Sequence, residues 1–361
     1  MIRGEGELAY LDLIDNLAEG YSVENIPNLW TENENEELIK NEFRPLVDPL
    51  DQLPHANFDI YDDRTFYRPY HGKMVRCIDY ELSRGCIYQC TFCLSVFQRE
   101  SYSSPKNFRR EKSIEKIIDE ISYLKKRYKL DVIRYQDETF LTMKKDKLKE
   151  LAKVYKKYVD LPFIIEATIN SIAEEKIQYL KEMGCLSIGF GLESGSEELR
   201  KNVIRKPPFT NEQALKNLNI VKKYGIDYTI YNIIGFPEET REMIEETIEI
   251  NYAVNAPYSL VSYFQPWEGT KLRDTAIAQG LLDSDSKGLD NSSDSQYGTP
   301  LKNLKVSPEI LKHYHDAFTY YVYINKIFWP LIRKYLGKRS LLAKVITYFL
   351  TILLNIRFKL Q

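Results

Sequence analysis

Between residues 77 and 264 the chain alternates short apolar runs with longer amphipathic ones. The apolar runs, residues 77–83, 131–136, 163–168, 186–191, 227–234 and 259–264, have the length and side-chain type of strands. The stretches between them, residues 113–128, 145–158, 173–183, 211–224 and 240–254, carry apolar positions at helical spacing. Ser113 and the pair Thr210 and Asn211 suit helix starts, and Gly184 and Gly225 suit helix stops. Strands this apolar, separated by helices, predict a parallel sheet covered by helices. Six strand–helix units are too few for a closed eight-stranded barrel, so a doubly wound sheet and a partial barrel both fit. Either fold gathers ligands beyond the C-terminal ends of its strands.

The flanks break this rhythm. Residues 1–75 hold one amphipathic helix, at residues 7–19, followed by acidic chain punctuated by prolines, and read as a linker or the end of another module. Residues 76–283 form the repeating core. Residues 284–361 hold a polar loop and then a helical tail that has no Asp or Glu from Ala317 onward but eight Lys or Arg. Its apolar run, residues 345–356, falls short of the roughly 20 residues that a spanning helix needs. A basic, aromatic, amphipathic tail suits peripheral contact with an anionic membrane, and it equally suits a helix packed on the core with a solvated basic face.

Composition narrows the function. A net charge of -2 exerts no global pull on nucleic acid, and none is expected as a partner. The N-terminus lacks an apolar signal core, which predicts a cytoplasmic protein, at most peripheral at the inner membrane face. Of the five cysteines, three lie within eight residues while Cys77 and Cys185 stand apart. That clustering suits metal ligation in a reducing compartment better than a disulfide framework.

The cluster reads Glu81-Leu-Ser-Arg-Gly-Cys86-Ile-Tyr-Gln-Cys90-Thr-Phe-Cys93 and follows the first strand. Three thiolates on one tight loop can hold three corners of a cubane iron–sulfur cluster. No fourth Cys or His lies near in sequence, which predicts a cluster with one iron open to a small molecule. A zinc site would want four ligands, usually as two pairs. A redox dithiol would leave the third cysteine unexplained. Other chemistry-bearing residues follow later strands and so converge on the same rim: Asp137 and Glu138, then Glu193 and Ser194, then Gly235, Phe236 and Pro237.

The spacing C-x-x-x-C-x-aromatic-C, met by Cys86, Cys90, Phe92 and Cys93, resembles the signature of the radical S-adenosylmethionine (radical SAM) superfamily. The resemblance runs over about residues 77–280 and implies a partial (β/α)6 TIM-like barrel. It also implies a [4Fe-4S] cluster on Cys86, Cys90 and Cys93, and S-adenosyl-L-methionine chelated to the open iron. One electron would cleave it to methionine and a 5′-deoxyadenosyl radical for C–H activation. By resemblance Phe92 lies beside the adenine, Asp137 belongs to an acidic pair near the cofactor, and Glu193 and Ser194 meet the ribose hydroxyls.

Gly189-Phe-Gly-Leu-Glu193, Gly235-Phe-Pro-Glu-Glu-Thr240 and Pro266-Trp-Glu-Gly269-Thr270 further resemble the subgroup whose members carry an N-terminal cobalamin-binding domain. The chain departs from that pattern in three places. Thr168 stands where relatives often place an arginine able to clamp a carboxylate, with Asn170 in place of an aspartate, so another cation is required there. Glu268 replaces a proline. Residues 1–7 resemble only the end of the cobalamin domain, so cobalamin would enter through a missing domain or a partner chain. Leu8, Leu11, Leu13 and Leu17 would then expose apolar surface.

The expected function is a radical SAM enzyme performing methyl transfer or carbon-skeleton modification on a small-molecule or lipid-like substrate, with a one-electron reductant. The alternatives are a cluster-binding subunit that needs a cobalamin-binding partner, and a simple iron–sulfur electron-transfer protein.

Overall fold

The structure is a computed structural model that describes residues 1–33, 35–102, 105–286, 296 and 298–359. Most of the polar loop expected near residue 290 lies outside the described residues.

In chain order the elements are α1 (Glu7–Glu19), a hairpin of β1 (Trp30–Glu32) and β2 (Leu38–Lys40), β3 (Tyr67–Tyr70), β4 (Lys73–Tyr80), β5 (Ser83–Arg84), α2 (Leu94–Ser101), β6 (Arg110–Glu111), α3 (Ile114–Tyr128), β7 (Val132–Tyr135), α4 (Lys145–Tyr158), β8 (Phe163–Thr168), α5 (Glu174–Met183), β9 (Cys185–Glu193), α6 (Glu197–Leu199), α7 (Asn211–Lys223), β10 (Asp227–Ile234), α8 (Arg241–Val254), β11 (Tyr258–Tyr263), α9 (Lys271–Ala278), α10 (Pro308–Tyr323), α11 (Trp329–Tyr335) and α12 (Leu341–Lys359).

The main sheet runs β11-β10-β9-β8-β7-β4-β3. Its first six strands are parallel, and β3 closes the edge antiparallel to β4. This is the partial (β/α)6 barrel. Successive strand residues face opposite sides of a sheet. Ile133, Phe163, Ile165, Phe190 and Ile230 therefore point outward and pack with Leu148, Leu151, Leu180, Leu218 and Val221 of the covering helices in one continuous core. The alternate positions Arg134, Glu166, Gly189 and Tyr231 line the concave side, around a cavity of about 330 Å³ at the β3 end.

Capping explains where the helices begin. Ser113 and Thr240 each accept an N–H of the first helical turn, and Thr210 forms a reciprocal capping box with Gln213. Gly184 ends α5 in the left-handed conformation that glycine tolerates best.

Three expectations change. The first strand starts at Lys73 and stops at Tyr80; Ser83 belongs to the separate strand β5, which pairs with β6. The segment after Cys93 begins as helix α2, which the strand–helix pattern does not predict. The apolar run of the tail sits inside the 19-residue α12, and its window Leu341–Phe358 is long and apolar enough to cross a membrane by length and composition alone. Ahead of the barrel, α1 exposes Leu8, Leu11 and Leu17, whereas Leu13 packs against Ala9, Ile26 and Leu29.

Candidate active site

The cysteine loop joins β5 to α2 at the C-terminal rim of the sheet. Gly85 enters it at φ +84°, and a Cβ there would meet the Phe108 carbonyl oxygen at 2.2 Å, so this entry requires glycine. Cys86, Cys90 and Cys93 are half-buried and carry no disulfide. Tyr88 N–H donates to Cys86 Sγ at 3.4 Å, and Cys93 N–H closes a turn on the Cys90 carbonyl at 3.1 Å.

The loop is bolted down by Thr91. Its N–H donates to the Ile204 carbonyl at 2.9 Å, its hydroxyl to the Val203 carbonyl at 2.6 Å, and its own carbonyl accepts from Leu272 N–H at 3.0 Å. Residues Arg200–Ile204 form a π-helical turn, a feature frequent at functional sites. Phe92 packs with Phe236 and Phe264, and the Phe92 and Phe236 rings meet edge to face at 6.0 Å.

Burial pushes all three thiols up, Cys90 to about 12, and Cys93 adds to the shift of Cys86 and Cys90. Lys206 opposes this at Cys90 and Cys93, and Glu193 adds to it. Glu193, at the end of β9 with φ +65°, accepts from Lys206 Nζ at 2.9 Å, and both side chains are almost fully enclosed. Gly191 makes room for the pair: a Cβ there would lie 2.1 Å from Glu193 Oε1 and 3.1 Å from Lys206 Nζ.

Asp137 and Ser194 each hydrogen-bond to neighbouring parts of the chain. The Asp137 carboxylate accepts from Leu82 N–H at 3.2 Å and from the Ser83 hydroxyl, and burial raises it to about 6. The Ser194 hydroxyl lies fully buried, 3.3 Å from Thr247 Oγ1, and accepts from Ser196 N–H at 3.1 Å. Thr168 and Asn170 lie on the same rim beside the Tyr88 hydroxyl, at 3.4 and 3.1 Å.

Sequence comparison decides what this arrangement belongs to. The family model of the radical SAM superfamily matches residues 80–250. Those residues of the chain carry a radical SAM domain.

Among curated relatives, an uncharacterized methyltransferase of Pyrococcus horikoshii is 30% identical over 285 residues, 78% of this chain and 59% of the relative. The cytidylyl-2-hydroxyethylphosphonate methyltransferase of Streptomyces wedmorensis is 26% identical over 78% of this chain and 57% of the relative. The chain thus spans a little over half the length of these relatives. Two solved structures share the fold at 16% identity. The cobalamin-dependent S-adenosylmethionine radical enzyme OxsB with aqua-cobalamin bound superposes with a TM-score of 0.67, over 99% of this chain and 55% of that one. The radical S-adenosylmethionine methyltransferase TsrM from Kitasatospora setae, with cobalamin and a [4Fe-4S] cluster bound, gives 0.66 over 100% of this chain and 77% of that one.

The radical SAM family implies an iron–sulfur cluster and S-adenosylmethionine, and the donor set at this rim fits both. Among the described residues, no three Cys, His, Asp or Glu side chains close around one metal-ion position. The three unpaired thiols are instead distributed along one loop. Several buried polar atoms bordering that loop have no partner: Arg109 Nε and Nη1, Thr139 Oγ1, Asn170 Oδ1 and Ser95 Oγ. Buried groups of this kind are normally hydrogen-bonded, so they suit a polar ligand. Lys206, with one carboxylate partner, adds a buried cation on the side of Cys90 and Cys93. Lys206 carries no recognisable local motif; the signal that could have found it is Gly191, a missing Cβ on a strand facing the rim.

Proposed function

We propose that the chain binds a [4Fe-4S] cluster through Cys86, Cys90 and Cys93, leaves one iron open to S-adenosylmethionine, and uses it for C–H activation, with methyl transfer as the leading reaction. The observation that carries this reading is the convergence on one rim of three unpaired thiols, unpartnered polar atoms and the Glu193–Lys206 pair. When bound, the cluster supplies one electron to the sulfonium of S-adenosylmethionine, whose carbon–sulfur bond breaks to methionine and the 5′-deoxyadenosyl radical.

The chain's own residues hold and shield that chemistry. Thr91 keeps the cysteine loop in register with the π-helical turn. Lys206 offers a cation for a carboxylate, the role that Thr168 cannot fill, and Glu193 keeps it charged and in place. Phe92 presents an aromatic surface against which a purine can pack. Asp137 and Ser194 brace the strand ends, with the cofactor contacts carried by Glu193. Methyl transfer is favoured by the names of the two curated relatives.

A second reading has an observation of its own. The exposed stripe of Leu8, Leu11 and Leu17 on α1 suits a chain that docks on a cobalamin-binding partner or domain and turns over only with it. One experiment separates the readings. The purified chain is reconstituted anaerobically with iron and sulfide, reduced, and given S-adenosylmethionine. Release of 5′-deoxyadenosine that vanishes in Cys90→Ala supports the first reading. A cluster without cleavage, rescued by a cobalamin-binding partner, supports the second. Zinc held in place of iron would overturn both.

A further inference from the structure

Helix α12 has two apolar faces, and only one is used. Leu350 and Leu354 point inward and join the core that α10 and α11 form over α8 and β11, with Ile346 and Leu353 packed against it. The hydroxyl of Tyr320 on α10 meets Thr351 Oγ1 at 3.0 Å. The opposite face is open. Leu341, Val345, Tyr348, Ile352 and Ile356 recur every three or four residues, the spacing that aligns side chains on one side of a helix. All five are exposed, Leu341 by 80%, Tyr348 by 70% and Val345 by 58%. At about 1.5 Å per residue the stripe is about 22 Å long.

Charge says what covers it. No Asp or Glu occurs after Asp316. Lys334, Lys338, Arg339 and Lys344, all exposed, cluster at the start of the stripe and make no ion pair among the described residues, whereas Arg333 and Lys326 pair with Glu245 and Glu249 of α8. An apolar helical face with a one-signed cationic rim is complementary to an anionic bilayer surface. A second copy fits worse. Two-fold pairing would bring like charges together. Crossing the bilayer is disfavoured too, because the inner face of α12 is already packed on α10 and α11.

We propose that α12 is a docking surface for anionic membranes. The helix lies in the headgroup plane with the Leu341–Ile356 stripe inserted, and Lys338, Arg339 and Lys344 lie against lipid phosphates. This rests on the tail alone and is independent of the chemistry at the rim.

Flotation of the full chain with phosphatidylcholine vesicles, with and without phosphatidylglycerol, tests it. The chain should float with the anionic vesicles and lose binding at high salt. Lys338→Gln with Arg339→Gln should lower partitioning about 30-fold, at about fivefold per cation. Val345→Glu with Ile352→Glu should abolish flotation while leaving the near-ultraviolet circular dichroism unchanged. Equal flotation with both vesicle types, or flotation undiminished by the glutamate pair, overturns the proposal. So does a wild-type chain that ignores vesicles and forms a dimer lost in the glutamate pair, which would make this face a contact between copies.

Discussion

The β9 corner of the rim differs from the β7 and β10 corners in how it treats a buried acid. Among the described residues, Asp137, just after β7, accepts hydrogen bonds from the Leu82 N–H and the Ser83 hydroxyl, with the Arg109 charge a smaller influence. Glu239, in the turn after β10, is met among the described residues only by the N–H groups of Gly235 and Phe236. Neutral donors offset burial incompletely, and the two carboxyls rise to about 6 and about 8. Glu193, at the end of β9, faces a full countercharge, Lys206, which also acts on Cys90 and Cys93. Acids held by neutral groups tie the chain's own turns together. The acid held by a lysine keeps an ion pair beside the cysteine loop, and a buried pair is weak evidence for stability alone. The difference sets the β9 corner apart and supports the cofactor role proposed for Glu193 and Lys206.

Breaking the ion pair should have the largest effect. Lys206→Met leaves Glu193 buried without its countercharge, and urea unfolding of the anaerobic protein should show a loss of about 3–5 kcal/mol. The double variant Glu193→Leu, Lys206→Met should recover most of it. A loss under about 1 kcal/mol in the single variant would mean that the corner is wetter than its burial implies.

Glu239 should behave in the opposite sense. Its carboxyl titrates at about 8 in the folded chain against an ordinary 4.5, so folding favours the protonated form. Its contribution to stability is therefore highest below the ordinary value and falls as pH rises from about 4.5 to about 8. Glu239→Gln stays neutral throughout. It should gain on the wild type between about pH 5 and pH 8, by up to about 4 kcal/mol in unfolding free energy. A pH-independent difference between the two proteins would remove the contrast between the corners.

Asp137→Asn should be milder. The lost acceptor costs about 1–3 kcal/mol, and removing a carboxyl raised to about 6 offsets part of this as pH rises above the ordinary value, so a small net change is expected by thermal or urea unfolding at neutral pH, with the cluster still assembling. Loss of the iron–sulfur absorbance in this variant would give Asp137 a role at the cofactor that its hydrogen bonds do not suggest.

Much of the barrel is legible in the sequence because its strands are buried and its helices are capped. Residues 163–168 and 227–234 are strands over the expected bounds, and 7–19 and 145–158 are helices over theirs. What escapes reading depends on distant partners. β3, Tyr-Arg-Pro-Tyr, has no alternating apolar pattern and is a strand because β4 offers it an edge. α2 starts at Cys93 with no side-chain cap, so no start signal marks it. At the site, the cysteines, Phe92 and Glu193 stand out by spacing. Lys206 does not, since its placement depends on the π-helical turn that precedes it and on the missing Cβ of Gly191. The roles of Asp137 and Ser194 likewise depend on which way their oxygens turn, which one-dimensional spacing does not encode.

The most direct test is the electron paramagnetic resonance signal of the reduced, reconstituted chain, titrated with S-adenosylmethionine. The account predicts a cluster signal that changes shape as S-adenosylmethionine binds. Lys206→Met should keep the signal seen without S-adenosylmethionine but need about tenfold or more of it for the same change, the worth of one charge-assisted hydrogen bond. Asp137→Asn should titrate like the wild type. A wild-type signal indifferent to S-adenosylmethionine, or a midpoint that moves in Asp137→Asn and not in Lys206→Met, would contradict it.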